Sequence, residues 1–336
     1  MKPILRVLTA TLAVTCLQPA MARADEALRS DALALFGRLE AVPVSTIHSP
    51  EVELGRAIFW DQRLSLDGQT SCGSCHFARD WGADRNRIQI DARGLPTSRH
   101  TMTVFNAMSQ PTLRWLGDRK DGAEQAESSM TGSMGFPSKQ AGVAALAQHH
   151  YAEKFRAAYP GDSEPMTARN YGRALAAYQA TLVTPSPFDR FLAGDDTALD
   201  ATQKAGLQNF IEVGCGTCHS GPLLGGTLFQ PFGVQKEYWL ATKSQPIDPG
   251  RIAVTKKDED KFVFRVPMLR NVAKTAPYFH DGSIAGLDDA VRIMADVQLG
   301  RTLEDSEVAS IVRFLDSLTG DVPAHYAPPG KTPVLD

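Results

Sequence analysis

Cysteine is scarce in this chain, five residues in 336, too few for a scaffold stapled by disulfides. An excess of one charge is missing too. Lys and Arg number 35 against 38 Asp and Glu, a net charge of −3, which leaves no basic footprint for nucleic acid. No apolar run after residue 24 is long enough to span a bilayer. No period of roughly 20–50 residues recurs, so the chain is not a solenoid. Strand signals are thin. What remains is a helix-forming sequence whose chemistry must sit at a few marked positions.

Those positions are the cysteines. Four of the five fall in two matching frames, Cys72-Gly-Ser-Cys75-His76 and Cys215-Gly-Thr-Cys218-His219. Cys-x-x-Cys-His is the attachment signature of c-type haem. Two thiols three positions apart lie on one side of a helical turn, where both can add to the vinyl groups of one porphyrin. The next residue, His, then reaches the iron. A zinc site would need four ligands per frame, and a redox dithiol has no use for the following His. The frames predict two covalently bound haem c groups, with His76 and His219 as iron ligands.

The fifth cysteine, Cys16, lies in a segment that reads as a cleaved secretory signal, residues 1–24. Lys2 and Arg6 precede an apolar stretch from Val7 to Leu17, and Ala22-Arg23-Ala24 offers a small-residue cleavage site. Val14-Thr15 does not resemble the approach to a lipidated cysteine. The mature chain of about 310 residues is expected in the periplasm, without a membrane anchor or disulfides. Export suits c-type haem, which is attached on the far side of the bacterial inner membrane.

That length suits two domains, one per frame. Thr184-Pro185-Ser186-Pro187 breaks a helical pattern and marks the expected boundary, giving units at 25–184 and 185–336. Helices are expected at Val52–Trp60, with Ser49 as N-cap, and at Lys139–Tyr159, Ala168–Leu182, Ala201–Val213, Leu287–Val297 and Glu304–Leu318. Arg251–Val254 and Lys261–Val266 could form one small hairpin. The fold class is mainly α, with two cytochrome c-like domains.

Further blocks carry a resemblance. Leu54-Gly55-Arg56 and Asp61-Gln62-Arg63-Leu64-Ser65 precede the first frame, and Thr103-Val104-Phe105-Asn106 and Glu124-Gln125-Ala126 follow it. Phe188-Asp189-Arg190-Phe191 opens the second half. Val266-Pro267-Met268-Leu269-Arg270-Asn271-Val272 runs on to Ala276-Pro277-Tyr278-Phe279-His280-Asp281-Gly282-Ser283. In this order the blocks resemble the bacterial dihaem cytochrome c peroxidases and their MauG-like relatives, along nearly all of the mature chain.

The resemblance implies an electron-storing C-terminal haem and an N-terminal haem where hydrogen peroxide binds. Met294 falls where the peroxidases carry a Met iron ligand, which raises the haem potential, whereas MauG carries a Tyr. From periodicity alone Met294 continues an apolar stripe with Leu287, Ala290, Val291 and Val297. Trp115 aligns with the Trp that relays electrons between the haems, and the fork of donors on Arg270 suits a haem propionate. Gln125 matches the distal Gln, but Gly135 stands where the family has its distal Glu. No acid lies between Ser128 and Phe136, leaving Glu124 and Glu127 as substitutes. No His lies between Phe77 and Arg99, so the first haem is expected to be open, as in the MauG branch. His100 replaces an Asn that helps hold calcium in the family, whose other contacts, the Thr275 and Pro277 carbonyls, are present. His149 and His150 are expected on a solvent-facing helix. The implied partners are a small cytochrome c or cupredoxin as electron donor, or a protein substrate in the MauG manner, with a homodimer as the assembly. An electron carrier or peroxide sensor without turnover is the reading outside enzymes.

Overall fold

The computed structural model describes residues 14–40 and 42–335. The first half of the expected signal, residues 1–13, lies outside the described residues. The architecture is helical: α1 (Val14–Phe36), α2 (Val44–Ile47), α3 (Pro50–Trp60), α4 (Gly122–Ser129), α5 (Lys139–Gln148), α6 (Ala152–Ala158) and α7 (Ala168–Ala180), then α8 (Pro187–Leu192), α9 (Ala201–Val213), α10 (Tyr238–Thr242), α11 (Ile252–Thr255), α12 (Leu287–Leu299) and α13 (Asp305–Asp316). Two short strands, β1 (Phe229–Pro231) and β2 (Val263–Arg265), pair antiparallel with Phe229 opposite Arg265. No described helix is long and apolar enough to cross a membrane.

Two hydrophobic clusters organise the chain. The first gathers Leu54, Ile58, Phe59, Phe105, Tyr171, Leu175 and Tyr178, and the second Phe188, Phe191, Leu207, Phe210, Ile311 and Phe314. Each is built on one close helix crossing. A Cβ on Gly55 of α3 would lie 1.9 Å from the Ala174 carbonyl oxygen of α7, and one on Gly206 of α9 would lie 1.9 Å from that of Ser310 on α13. Only glycine allows backbones to approach so closely. The first helix of each crossing, α3 or α9, leads toward one Cys-x-x-Cys-His frame.

Two pieces cross the boundary expected at residue 184. Leu28, Ala32 and Phe36 of α1 pack in the second cluster, where Phe36 meets Phe188 edge-on at 5.9 Å. Asp25 pairs with Lys204 at 2.7 Å. At the other end Tyr326, fully buried, packs in the first cluster against Phe59, Trp60 and Phe105. Each half is thus closed by a terminal segment from beyond the other.

Local expectations meet two corrections. The segment 251–254 is a helical turn, and the partner of 263–265 is 229–231. The stretch expected as one helix over Lys139–Tyr159 is two, broken at His149–Tyr151, where His150 has φ +63°. Tyr151 is drawn into the core and donates to the Ala57 carbonyl and Asp61 Oδ2 at 3.2 and 2.9 Å, so a tertiary anchor overrides helical propensity. His149 and His150 therefore lie at the break rather than within a helix. Ser49 does cap α3, its Oγ accepting from the Val52 N–H at 3.3 Å.

Candidate functional site

Both frames fold as a short 3₁₀ turn, Cys72–Ser74 and Cys215–Thr217, in which the His N–H bonds back to the first cysteine carbonyl at 3.0 Å. The first turn is closed by Ser71, whose N–H donates to Ser74 Oγ at 3.0 Å. Trp60 lies flat over Gly73, where a Cβ would come within 2.3 Å of the indole. All four thiols are unpaired. Burial pushes Cys72 up to about 12 and Cys215 up to about 11, and burial followed by the charge of Asp84 takes Cys75 to about 11. That is the opposite of a redox dithiol, which works through a depressed pKa.

The histidines are set as neutral ligands. His76 Nδ1 lies 2.8 Å from the Gly82 carbonyl oxygen and His219 Nδ1 lies 3.1 Å from that of Leu224. A carbonyl only accepts, so Nδ1 carries the proton in each ring and Nε2 keeps its lone pair for a metal. Burial lowers both pKa values, which keeps the rings uncharged. Unpaired protonated thiols beside a fixed, neutral imidazole are the donor set that c-type haem requires.

Around the second frame the fit extends to a cavity. Cys215, Cys218, His219 and Met294 all line it, with Phe210, Leu269, Ala290, Val291 and Leu315 among its apolar walls. Met294 is thus a wall of the space that His219 faces. On the first side, Gln125 Oε1 is buried without a partner, an orphaned acceptor of the kind that awaits a ligand.

The chain has relatives over most of its length. Residues 49–197 match the family model described as di-haem cytochrome c peroxidase. The cytochrome c551 peroxidase of Pseudomonas aeruginosa is 42% identical over 313 residues, covering 90% of this chain and 89% of the relative. The chain belongs to the di-haem cytochrome c peroxidase family. The methylamine utilization protein MauG of Methylorubrum extorquens is 32% identical, over 82% of this chain and 78% of its own. Among solved structures, a MauG-like protein associated with microbial copper homeostasis superposes with a TM-score of 0.73 at 24% identity, over 87% of this chain and 96% of its own.

Several of the other expected site residues line the same cavity. Trp115 lines the cavity beside the second frame, and its indole N–H donates to the His100 carbonyl at 2.9 Å. His100 lines the same cavity, with Nδ1 3.0 Å from the Asn86 carbonyl oxygen. Arg270, expected at a propionate, is fully buried but gives both arms to Asp189 at 2.5 and 2.8 Å, so its fork is already occupied. Thr275 and Pro277 line the cavity as well. No group of three or more His, Cys, Asp or Glu side chains is gathered for a metal among the described residues.

The acid substitutes are also spoken for. Glu127 pairs with Lys139 Nζ at 2.5 Å, and Glu124 Oε2 accepts from the Lys120 N–H at 3.0 Å on the first turn of α4. Gly135 has φ +76°, and a Cβ there would meet Arg93, Leu66 and Ala92 at 3.1–3.3 Å. One acid escaped the sequence reading. Asp84 is 1% exposed, its Oδ1 accepts from the Asn86 N–H at 2.8 Å, and its Oδ2 is buried without a partner. Its charge acts on Cys75, His76 and His100. No sequence signal marked it, because burial of a loop carboxylate has no periodicity to read.

Proposed function

We propose that this chain is a periplasmic dihaem c-type oxidoreductase that reduces hydrogen peroxide to water with electrons from a small cytochrome c or cupredoxin. The observation that carries the reading is the pair of neutral imidazoles, His76 and His219, each fixed by a carbonyl beside two protonated thiols. The chain is divided into two cytochrome c-like domains near Thr184–Pro187, each completed by the terminal segment that crosses over. Cys72, Cys75 and His76 hold the first haem, and Cys215, Cys218, His219 and Met294 hold the second. Bound there, haem supplies electron storage at the second site and peroxide reduction at the first.

The other side chains support that chemistry. The Gln125 amide, buried beside the first core, positions a ligand through its unpartnered Oε1. Trp115, which comes from the first half and is tied there to the His100 carbonyl, reaches the cavity of the second frame and serves as the route for electrons. Asp84, through its unpartnered Oδ2, moves the proton in place of the acid that Gly135 cannot provide. Calcium stays outside this reading, because the Thr275 and Pro277 carbonyls alone make a poor site for a hard cation. Mixing the reduced holoprotein and a reduced small cytochrome with peroxide tests the reading: peroxide-dependent oxidation of the carrier over many turnovers supports it, and none sinks it.

A second reading is favoured by one observation, the acid-free stretch from Ser128 to Phe136. Slow proton delivery would let an oxidised state persist and act on a partner protein in the MauG manner. Mass spectrometry of that partner after peroxide addition would find an oxidised side chain. Neither turnover nor a modified partner would leave an electron carrier or sensor.

A further inference from the structure

Arg265 is a buried cation with nothing negative beside it. It ends β2, is 1% exposed, and sits in a strand buried at all three positions. Its Nε donates to the Arg114 carbonyl at 2.8 Å, one terminal nitrogen to Gln110 Oε1, and the other to the thioether of Met102 at 3.4 Å. None of these acceptors is charged, and one is only a weak acceptor. Arg270 shows the contrast, for it is equally buried but pairs with Asp189. A guanidinium buried without a counterion carries the desolvation penalty of an unpaired buried ion. Burial draws its pKa down to about 10, so it remains charged at neutral pH.

The side chain faces the place where a countercharge is missing. Arg265 and Gln110 line the cavity that also holds Cys215, Cys218, His219 and Met294. The rest of that lining is largely apolar, and its polar residues, Trp115, His100 and His280 among them, bring no negative charge. His280 Nε2 is itself buried without a hydrogen-bond partner, with Asp248 Oδ2 behind the lining at 3.8 Å. Haem is an apolar disc with two carboxylates on one edge, and the cavity has apolar walls and one cationic region.

We propose that Arg265 is the countercharge for a propionate of the second haem and, through it, a determinant of that haem's potential. The inference rests on the dihaem reading above. A fixed positive charge beside the haem edge favours the reduced, less positive iron. Arg265 then acts in the same direction as a thioether ligand from Met294.

The test uses the full dihaem protein and reads the midpoint potential of each haem by spectroelectrochemistry. R265Q should lower the ferrous-to-ferric ratio of the second haem about tenfold at fixed poise, equivalent to about 59 mV for one electron. R265K, which keeps the charge, should retain most of the wild-type potential. Q110E covers the case in which R265Q yields no holoprotein: it is isosteric and gives the guanidinium a carboxylate, so it should lower the same potential. If Q110E or R265Q carries two haems by mass and its second-haem potential is unchanged, the proposal is overturned while the dihaem reading stands. A wild-type protein that lacks two haems overturns both.

Discussion

Asn106 and Asn271 meet on one hydroxyl, their carboxamides donating to Thr184 Oγ1 at 2.8 and 2.9 Å. Both have left-handed backbones, with φ 58° and 62°. The backbone N–H of each bonds to a residue just past a helix, Leu182 and Leu318. The Oδ1 of each accepts a further backbone N–H, from Thr184 and Gly320, at 2.9 and 3.0 Å. With the paired crossings at Gly55 and Gly206, the two halves repeat one local arrangement, and they share the Thr184 hydroxyl.

Thr184→Val should therefore destabilise the protein out of proportion to its size. The change keeps the shape but leaves two buried amide donors unpaired, at roughly 1–3 kcal/mol each. The thermal midpoint of the holoprotein should fall by several degrees, at about 2–4 °C per kcal/mol for a domain of this size, while Thr184→Ser stays near wild type. A Thr184→Val midpoint equal to wild type would mean that the hydroxyl does not join the halves.

The helix crossings give a second stability test. An alanine at Gly55 or Gly206 would place Cβ 1.9 Å from a carbonyl oxygen, so the small helix-propensity gain, about 1 kcal/mol, is lost to displaced backbones. Holoprotein yield and melting temperature should both drop. Gly161→Ala, where nothing lies within 4 Å of the new methyl, should be neutral or slightly stabilising. Equal behaviour at all three positions would contradict the close crossings.

Much of this was legible in the sequence for a physical reason. Cys-x-x-Cys-His is a local geometry, so spacing alone located both frames and their ligands. One helix, α9 at Ala201–Val213, matches its expected bounds to the residue, and α3, α7, α12 and α13 lie within two residues of theirs. What escaped depends on contacts distant in sequence. The break at His149–Tyr151 follows from the bond of Tyr151 to Asp61, and β2 pairs with a segment thirty-odd residues upstream rather than with its neighbour. The roles of Arg270 and Arg265 are the clearest case. Arg270 falls in the block that carries the resemblance and Arg265 just before it, and only burial beside Asp189 or beside Gln110 tells them apart.

Met294 gives a spectroscopic prediction. It shares the cavity of His219, and a thioether ligand favours ferrous iron. Met294→Leu should abolish the red-region sulfur-to-iron band of the ferric protein and lower the potential of the second haem, leaving two covalent haems by mass. Persistence of that band in the variant would assign the sulfur ligand to another residue, with Met268, which lines the same cavity, the first to replace.

Proton delivery separates the enzymatic readings. Gly135→Glu would put a side chain on a residue with φ +76°, against Arg93, Leu66 and Ala92, so it should destabilise the loop without raising peroxide turnover. Glu124→Gln and Glu127→Gln should be nearly silent, since both acids are engaged at the helix surface. Asp84→Asn removes a buried carboxylate whose Oδ2 has no partner and whose charge reaches His76. If Asp84 moves the proton, steady-state peroxide reduction should fall by a sizeable part of the roughly 10²–10⁴-fold that general acid–base catalysis contributes. The pH profile should change with it, while haem content and the potential of the second haem stay close to wild type. Full turnover in Asp84→Asn would remove Asp84 from the proton path. Turnover that is slow in the wild type and insensitive to Asp84 would instead favour the partner-modifying reading, in which no fast proton donor is needed.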